Sequence, residues 1–262
     1  MGVLNAVGKG FSLSRKLLSI IGIFFVFNLI IGLIMLPFAG PESANDPQAQ
    51  AVSFLIGILS ILIFIFLQGG ALSAVRDLIK KNACNLADFA ANGKKFYVKI
   101  LLLFLIILAI SIIAIIIAAL ISSGILAVAN NTLMRSLITA IIVLLALFAV
   151  VILIYPIYVI VNGEEGPIQA LKNGVTLSLN NFWKTFGLFV VLLVVSFIIA
   201  FLVGVVAAII TGALPLMLGR VIMLVVNSVV QSYLAIVMMG AFMSFYLGLA
   251  SKGSQEQGPA SA

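Results

Sequence analysis

Six runs of the chain are long, apolar and almost free of charge: residues 17–38, 51–75, 100–122, 134–161, 185–211 and 221–250. Arg135, at the edge of the fourth, is the only charged residue that any of them contains. The shortest run has 22 residues. As an α-helix it would rise about 33 Å, against a hydrocarbon core about 30 Å thick. The longer runs have room to tilt or to extend past the membrane surface. Barrel strands do not fit, because they alternate polar and apolar residues over about ten positions. In lipid only helices then satisfy the backbone. The runs predict an all-α fold: a six-span helical integral membrane protein, with residues 1–250 as one membrane domain and 251–262 as a disordered tail.

Composition enters as a check on that prediction. Of the 262 residues, 64% are apolar and 8% are charged. Average globular chains carry about 25% charged residues, so polar groups are too few to cover a water-soluble domain of this size. The first run follows Arg15 and Lys16, exceeds the length of a signal-peptide core and has no small-x-small site after it, so it reads as a span.

The net charge is +7. The basic residues flank the spans, and the aromatic residues lie inside the apolar runs, which argues against nucleic acid as a partner. Lys9, Arg15 and Lys16 precede span 1; Arg76, Lys80, Lys81, Lys94, Lys95 and Lys99 follow span 2; Lys172 and Lys184 follow span 4; Lys252 follows span 6. Only Arg135 and Arg220 fall on the opposite side, so the distribution is twelve against two. By the positive-inside rule both termini face the cytoplasm, with the cell membrane as the expected location. Outside, the longest loop is residues 37–50, rich in turn formers. Asn130-Asn131-Thr132 forms a glycosylation sequon there, too close to the membrane to read as more than a chance match.

One of the few polar stretches, "GEEGPIQALKNGVTLSLNNFWKTFG" (163–187), shows how the cytoplasmic side is built. Glu164 and Glu165 precede Pro167 and mark a helix start. Ile168, Leu171, Val175, Leu179 and Phe182 then recur at helical spacing, with Lys172, Asn173, Thr176 and Asn180 off that face. The pattern predicts an amphipathic helix at the lipid–water interface, leading into span 5. Phe182, Trp183 and Lys184 are its anchors. A second leader precedes span 3: Asn85 is a candidate N-cap, Leu86, Phe89, Ala90, Phe96 and Tyr97 form the apolar face, and Phe96, Tyr97 and Lys99 are the anchors. Val3, Leu4, Val7 and Phe11 form a third ahead of span 1. Three cytoplasmic interfacial helices, each followed by two spans, give three candidate parallel repeats: 1–75, 76–162 and 163–250.

Glu165-Gly166, Ala170-Leu171, Leu177 and Phe182-Trp183, together with the late "QSYLAIVMMGAFMSFY" (231–246), resemble segments of uncharacterised prokaryotic polytopic membrane proteins. These are similar to the membrane domain found ahead of some glycerophosphodiester phosphodiesterases. Gly174 stands where that family's pattern has Ser. The resemblance implies a fold and a membrane setting; it brings no catalytic or ligand residues.

Chemistry-bearing residues are scarce. The chain has no His and one Cys, Cys84, which excludes an internal disulfide and a Cys/His zinc site. Cys84 reads as a free buried thiol, with S-acylation as the alternative. The seven acids are scattered, and the one adjacent pair, Glu164 and Glu165, points apart on a helix and complements its N-terminus. No catalytic, cofactor or metal site is expected, and the chain reads as a non-enzyme. No span carries a charge at its centre, which disfavours an ion-coupled carrier. Neutral polar residues do lie mid-span, among them Asn28, Gln68, Asn227, Gln231 and Ser232; they read as interhelical hydrogen bonding or as a polar path.

The sharpest pattern concerns packing. Ser196, Ala200, Gly204, Ala208 and Gly212 recur every fourth residue in span 5. Ser228, Ser232, Gly240, Ser244 and Gly248 do nearly the same in span 6, with Ile236 filling the gap. Small residues at this spacing make a groove into which another helix sinks. The two stripes match in depth across an antiparallel hairpin, so mutual packing is expected, with a docking face for another membrane protein or a second copy as the alternative. The sequence thus favours a scaffold or accessory subunit that binds lipids and another membrane component. The alternative is a permease or lipid-handling facilitator for a small or amphiphilic substrate.

Overall fold

The structure, a computed structural model, describes residues 1–38, 40, 45–128 and 131–256. Among them it is all-helical: α1 (Val3–Lys16), α2 (Leu18–Met35), α3 (Pro47–Lys81), α4 (Ala87–Val128), α5 (Thr132–Ile152), α6 (Pro156–Gly163), α7 (Pro167–Asn180), α8 (Phe182–Gly212) and α9 (Leu216–Glu256). A short 3-10 turn, Leu36–Phe38, extends α2. Six segments are long and apolar enough to cross a membrane: Leu18–Phe38, Pro47–Lys81, Ala87–Ile125, Thr132–Gly163, Phe182–Gly212 and Met217–Ser251. They coincide with the six apolar runs and overshoot most of them at the ends.

Local chemistry explains the helix boundaries. Asp46 Oδ1 accepts from the Gln48 N–H at 2.9 Å, with Pro47 as the first helical residue of α3. Asn131 Oδ1 accepts from the Met134 N–H at 2.8 Å to open α5, while Asn130 of the sequon lies outside the described residues. Asn85 Oδ1 accepts from the Ala87 N–H at 3.1 Å, as a cap for α4 should. α3 and α6 end on left-handed residues, Asn82 (φ 52°) and Glu164 (φ 56°).

Three expectations are corrected. Span 4 is not one helix: it breaks between α5 and α6, because Pro156 has no N–H for the Ile152 carbonyl and its ring crowds the preceding turn. The second leader is not a separate helix: α4 runs from Ala87 into the span with no proline to interrupt it, and Asn92-Gly93 stays helical where Gly93 packs against Phe66 of α3. α9 continues to Glu256, so residues 251–256 of the expected disordered tail extend an already nucleated helix. Residues 257–262 lie outside the described residues, as does much of the 37–50 loop.

The chain divides into two compact units, 1–97 with 187–262, and 98–186, with the divisions inside α4 and α8. In the first unit α9 is the central element, packed by α1, α2 and α3. Its largest fully buried side chains include Phe24, Leu72, Phe96, Ile236 and Phe245. In the second unit α6 and α7 pack together. Tyr155, Ile160, Ala170, Ser178 and Thr185 are fully buried there, and the Thr185 hydroxyl bonds the Tyr155 hydroxyl at 3.2 Å. The outer parts of α4 and α5 are different: Ile115, Ile116 and Ile117, and again Val143, Leu144 and Leu145, are all exposed. Successive helical residues point 100° apart, so these segments are uncovered around most of their circumference.

The leaders pack through small residues. In α1 the inward residues are Ala6, Gly10 and Ser14, with Val7. In α7 they are Ala170, Gly174 and Ser178, the same Ala-x3-Gly-x3-Ser pattern on a helix of the same 14 residues. A Cβ built on Gly10 would stand 2.5 Å from the Val237 carbonyl oxygen of α9, and one on Gly174 2.5 Å from the Pro156 nitrogen of α6. The first turns of α4 repeat the device: a Cβ on Gly93 would meet the Phe66 carbonyl oxygen of α3 at 3.0 Å. Only a side chain of no volume lets backbones approach this closely. Both free-standing leaders end in one non-helical residue of matching geometry, Leu17 (φ −111°, ψ 29°) and Asn181 (φ −125°, ψ 30°), before the next span begins.

Several of the large apolar residues picked out by periodicity are not buried, although Val7, Phe89 and Phe96 are. Ile168 is 74% exposed and Leu4 is 75% exposed, while Leu171 and Val175 are half-covered. In a membrane, close helix packing selects small residues, and large ones are free to meet lipid.

Candidate functional site

The ten stripe residues separate by helix. On α9, Ser228, Ser232, Gly240 and Ser244 are buried and Gly248 is half-covered. A Cβ on Gly240 would meet the Gly10 Cα at 3.2 Å, and one on Gly248 the Met1 side chain at 3.1 Å. Asn28 of α2 donates its side-chain N–H to the Ser232 Oγ at 2.9 Å, and Ser232 in turn donates to the Ser228 carbonyl at 2.6 Å. The α9 stripe therefore seats α1 and α2. On α8, Ala200, Ala208 and Gly212 are exposed, and Ser196 and Gly204 are half-covered. Nothing lies within 4 Å of a Cβ built on Gly204 or Gly212. The expected mutual packing of the two stripes is corrected at these positions: α2 meets α9 at Ser232, and the N-terminal leader, an element that the hairpin argument omitted, meets it at Gly240 and Gly248.

The anchors also divide. Phe96 is fully buried, with the Arg76 guanidinium 5.9 Å and the Lys95 ammonium 5.4 Å from its ring centre, so it is a core residue and not a surface anchor. Its neighbour Arg76 pairs with Asp77 at 2.8 Å and bonds the Ser73 hydroxyl at 3.1 Å. Tyr97 is half-covered. Lys99 donates to the Glu164 carbonyl and so closes the left-handed end of α6. Trp183 is 79% exposed, Lys184 is exposed, and Phe182 stacks on Phe186 at 5.9 Å.

Cys84, between α3 and α4, is free and half-covered. Burial first, and then the Asp77 and Asp88 carboxylates, hold its thiol above the ordinary cysteine range. Among the described residues no three His, Cys, Asp or Glu side chains gather as metal ligands.

The first unit also holds a cleft of about 660 Å³, which the sequence did not reveal. Leu36 closes one side. Ala208, Thr211, Gly212 and Leu214 line it from α8 and the turn after it, and Gly219, Arg220, Met223, Leu224 and Asn227 line it from α9. The Thr211 hydroxyl is turned to its own backbone, donating to the Ala207 carbonyl at 2.9 Å. Arg220 and Asn227 are exposed, and no hydrogen bond or ion pair engages either side chain among the described residues. The spacing of Arg220 and Asn227, seven residues on one helix, was available as a sequence signal. What could not be read was the bare wall of α8 opposite.

Long apolar helices, a seat of small residues and a laterally lined cleft define a class: a multi-pass helical membrane protein whose polar chemistry is sparse. More narrowly, the chain belongs to the DUF7847 family, a domain of unknown function, which it matches over residues 1–249. No curated protein and no solved structure matches it.

Proposed function

We propose that this is a non-enzymatic membrane protein that binds another membrane component, as a scaffold or accessory subunit, through the bare stripe on α8. One observation carries this reading: Gly204 and Gly212 have open space where Gly10, Gly174 and Gly240 have backbone. Lipid tails place no premium on small residues, whereas a second helix does. The fitting occupant is a transmembrane helix of another protein or of a second copy. The twelve-to-two basic asymmetry supports cytoplasmic termini in the cell membrane, with α1, α7 and the start of α4 as interfacial leaders. The motif and one-residue break shared by α1 and α7, with the close approach at Gly93 in α4, support the reading of three parallel repeats. Each leader then packs on the second span of the preceding repeat, and the first leader on the last span. The resemblance to membrane domains ahead of glycerophosphodiester phosphodiesterases fits the setting and adds no site.

The test is capture from native membranes. Wild type and Val203→Leu should retain the same membrane component under mild detergent, and Gly204→Leu should lose it while remaining folded. Retention by all three variants would remove the α8 stripe as the binding face.

The alternative, a lipid-handling or permease role, is favoured by the cleft at Arg220.

A further inference from the structure

We propose that the cleft between the end of α8 and the start of α9 seats one anionic membrane lipid. Its phosphate would lie on Arg220 and its hydrocarbon in the apolar remainder of the cleft. The size fits: about 660 Å³ lies inside the range of ligand clefts, roughly 300–1,000 Å³. The lining is apolar on most sides, with Leu36, Leu214, Met223 and Leu224 around the two unengaged polar side chains. Arg220 supplies a planar donor fork that matches phosphate oxygens. Asn227 lies two helical turns along the same face, about 10 Å deeper by helical rise. Its carboxamide can donate to the ester or ether oxygens that join headgroup to chains. Arg220 is exposed at the cleft with no counter-charge among the described residues, so an anion can reach it, and the cleft offers an amphiphile's proportions around it.

Charge placement strengthens the assignment. Arg135 and Arg220 are the two basic residues on the side opposite the twelve others, and only Arg220 lines the cleft. This proposal rests on the chain being a membrane protein that binds a membrane component, and it replaces the second helix with lipid at this one place.

The experiment is native mass spectrometry of the full chain in detergent, titrated with phosphatidylglycerol, phosphatidylcholine or inorganic phosphate. One phosphatidylglycerol should be retained in preference to phosphatidylcholine. Arg220→Gln should raise the lipid concentration for half-occupancy about tenfold, the usual value of one charge-assisted contact. Arg135→Gln should leave it unchanged. Ala208→Phe, which fills the cleft from α8 and keeps the charge, should also release the lipid. Equal losses from both arginine variants would mean an annular contact and overturn the seat. So would retention in Ala208→Phe, or displacement of the lipid by inorganic phosphate, which would assign the site to a free anion. Loss of the lipid seat with Gly204→Leu still losing its partner would sink this inference alone and leave the scaffold standing.

Discussion

α8 and α9 carry nearly the same line of small residues, yet one is buried and the other bare. On α9, Gly240 lies against Gly10, and Ser232 holds Asn28. On α8, Gly204 and Gly212 have no neighbour within 4 Å of a Cβ position. The difference teaches that a small-residue stripe states a capacity for close approach and leaves the partner unspecified. The partner of α9 is a helix more than two hundred residues earlier in the chain. Along the α8 stripe no described residue fills the space at Gly204 or Gly212.

The largest effect should come from filling an occupied seat. Gly10→Leu and Gly174→Leu would each drive a side chain into backbone of a facing helix, and each should cost about 3 kcal/mol, the upper end of overpacking. Reversible unfolding in mixed detergent micelles measures this. A cost below 1 kcal/mol at both sites would mean that the leaders are not held through their glycines.

Next comes the polar contact on the α9 side. Asn28→Leu removes the donor to Ser232 without adding much volume, and should cost about 0.6–2 kcal/mol. Ser232→Ala made in the Asn28→Leu background should add little, since the shared bond is already gone. Full additivity in this double-mutant cycle would deny the contact.

The bare stripe should be nearly silent. From sequence alone Gly204→Leu would have been placed at about 1–3 kcal/mol, as an overpacked hairpin. With open space at that position it should unfold within about 0.5 kcal/mol of wild type, as an exposed substitution does. A large destabilisation would show that α8 packs tightly after all and would erase the contrast between the two helices.

The smallest effect is kinetic. The raised thiol pKa of Cys84 means that less thiolate is present at a given pH than in an ordinary cysteine. Alkylation of purified protein at pH 8 should be several-fold slower than that of a free cysteine, and should gain on it as pH rises through the elevated pKa. In intact cells an impermeant reagent should label Ser122→Cys and spare Cys84. Labelling of Cys84 from outside would invert the proposed orientation.

How far the sequence could be read depends on which physical signal each feature leaves. Span number and approximate limits were legible, because charge-free runs of this length have few alternatives. The break ahead of Pro156 had a visible cause, but hydropathy averages over it. The residues through which α7 packs on protein went unread, because the apolar pattern named only its lipid face. Ile168 and Leu179 stand out by size, yet Ala170, Gly174 and Ser178 are the ones turned inward. Periodicity finds apolar side chains, and near lipid those do not mark the core. Phe96 was misplaced for a different reason: its neighbours Lys94, Lys95 and Lys99 suggested a surface, while Arg76 of α3 lies over its ring. The cleft at Arg220 needed two segments brought together, which no local pattern records.

The glycine seats at positions 10 and 174 have one more consequence, for how such a chain can drift. No residue is smaller than glycine, so neither position has a neutral neighbour to wander through. A change at either must be answered by a simultaneous retreat of the facing backbone, at Val237 or at Pro156, which a side-chain substitution cannot supply. Gly204 meets no such veto from the described residues. Any restriction on its drift would have to be imposed from outside the molecule, by whatever comes to rest on α8.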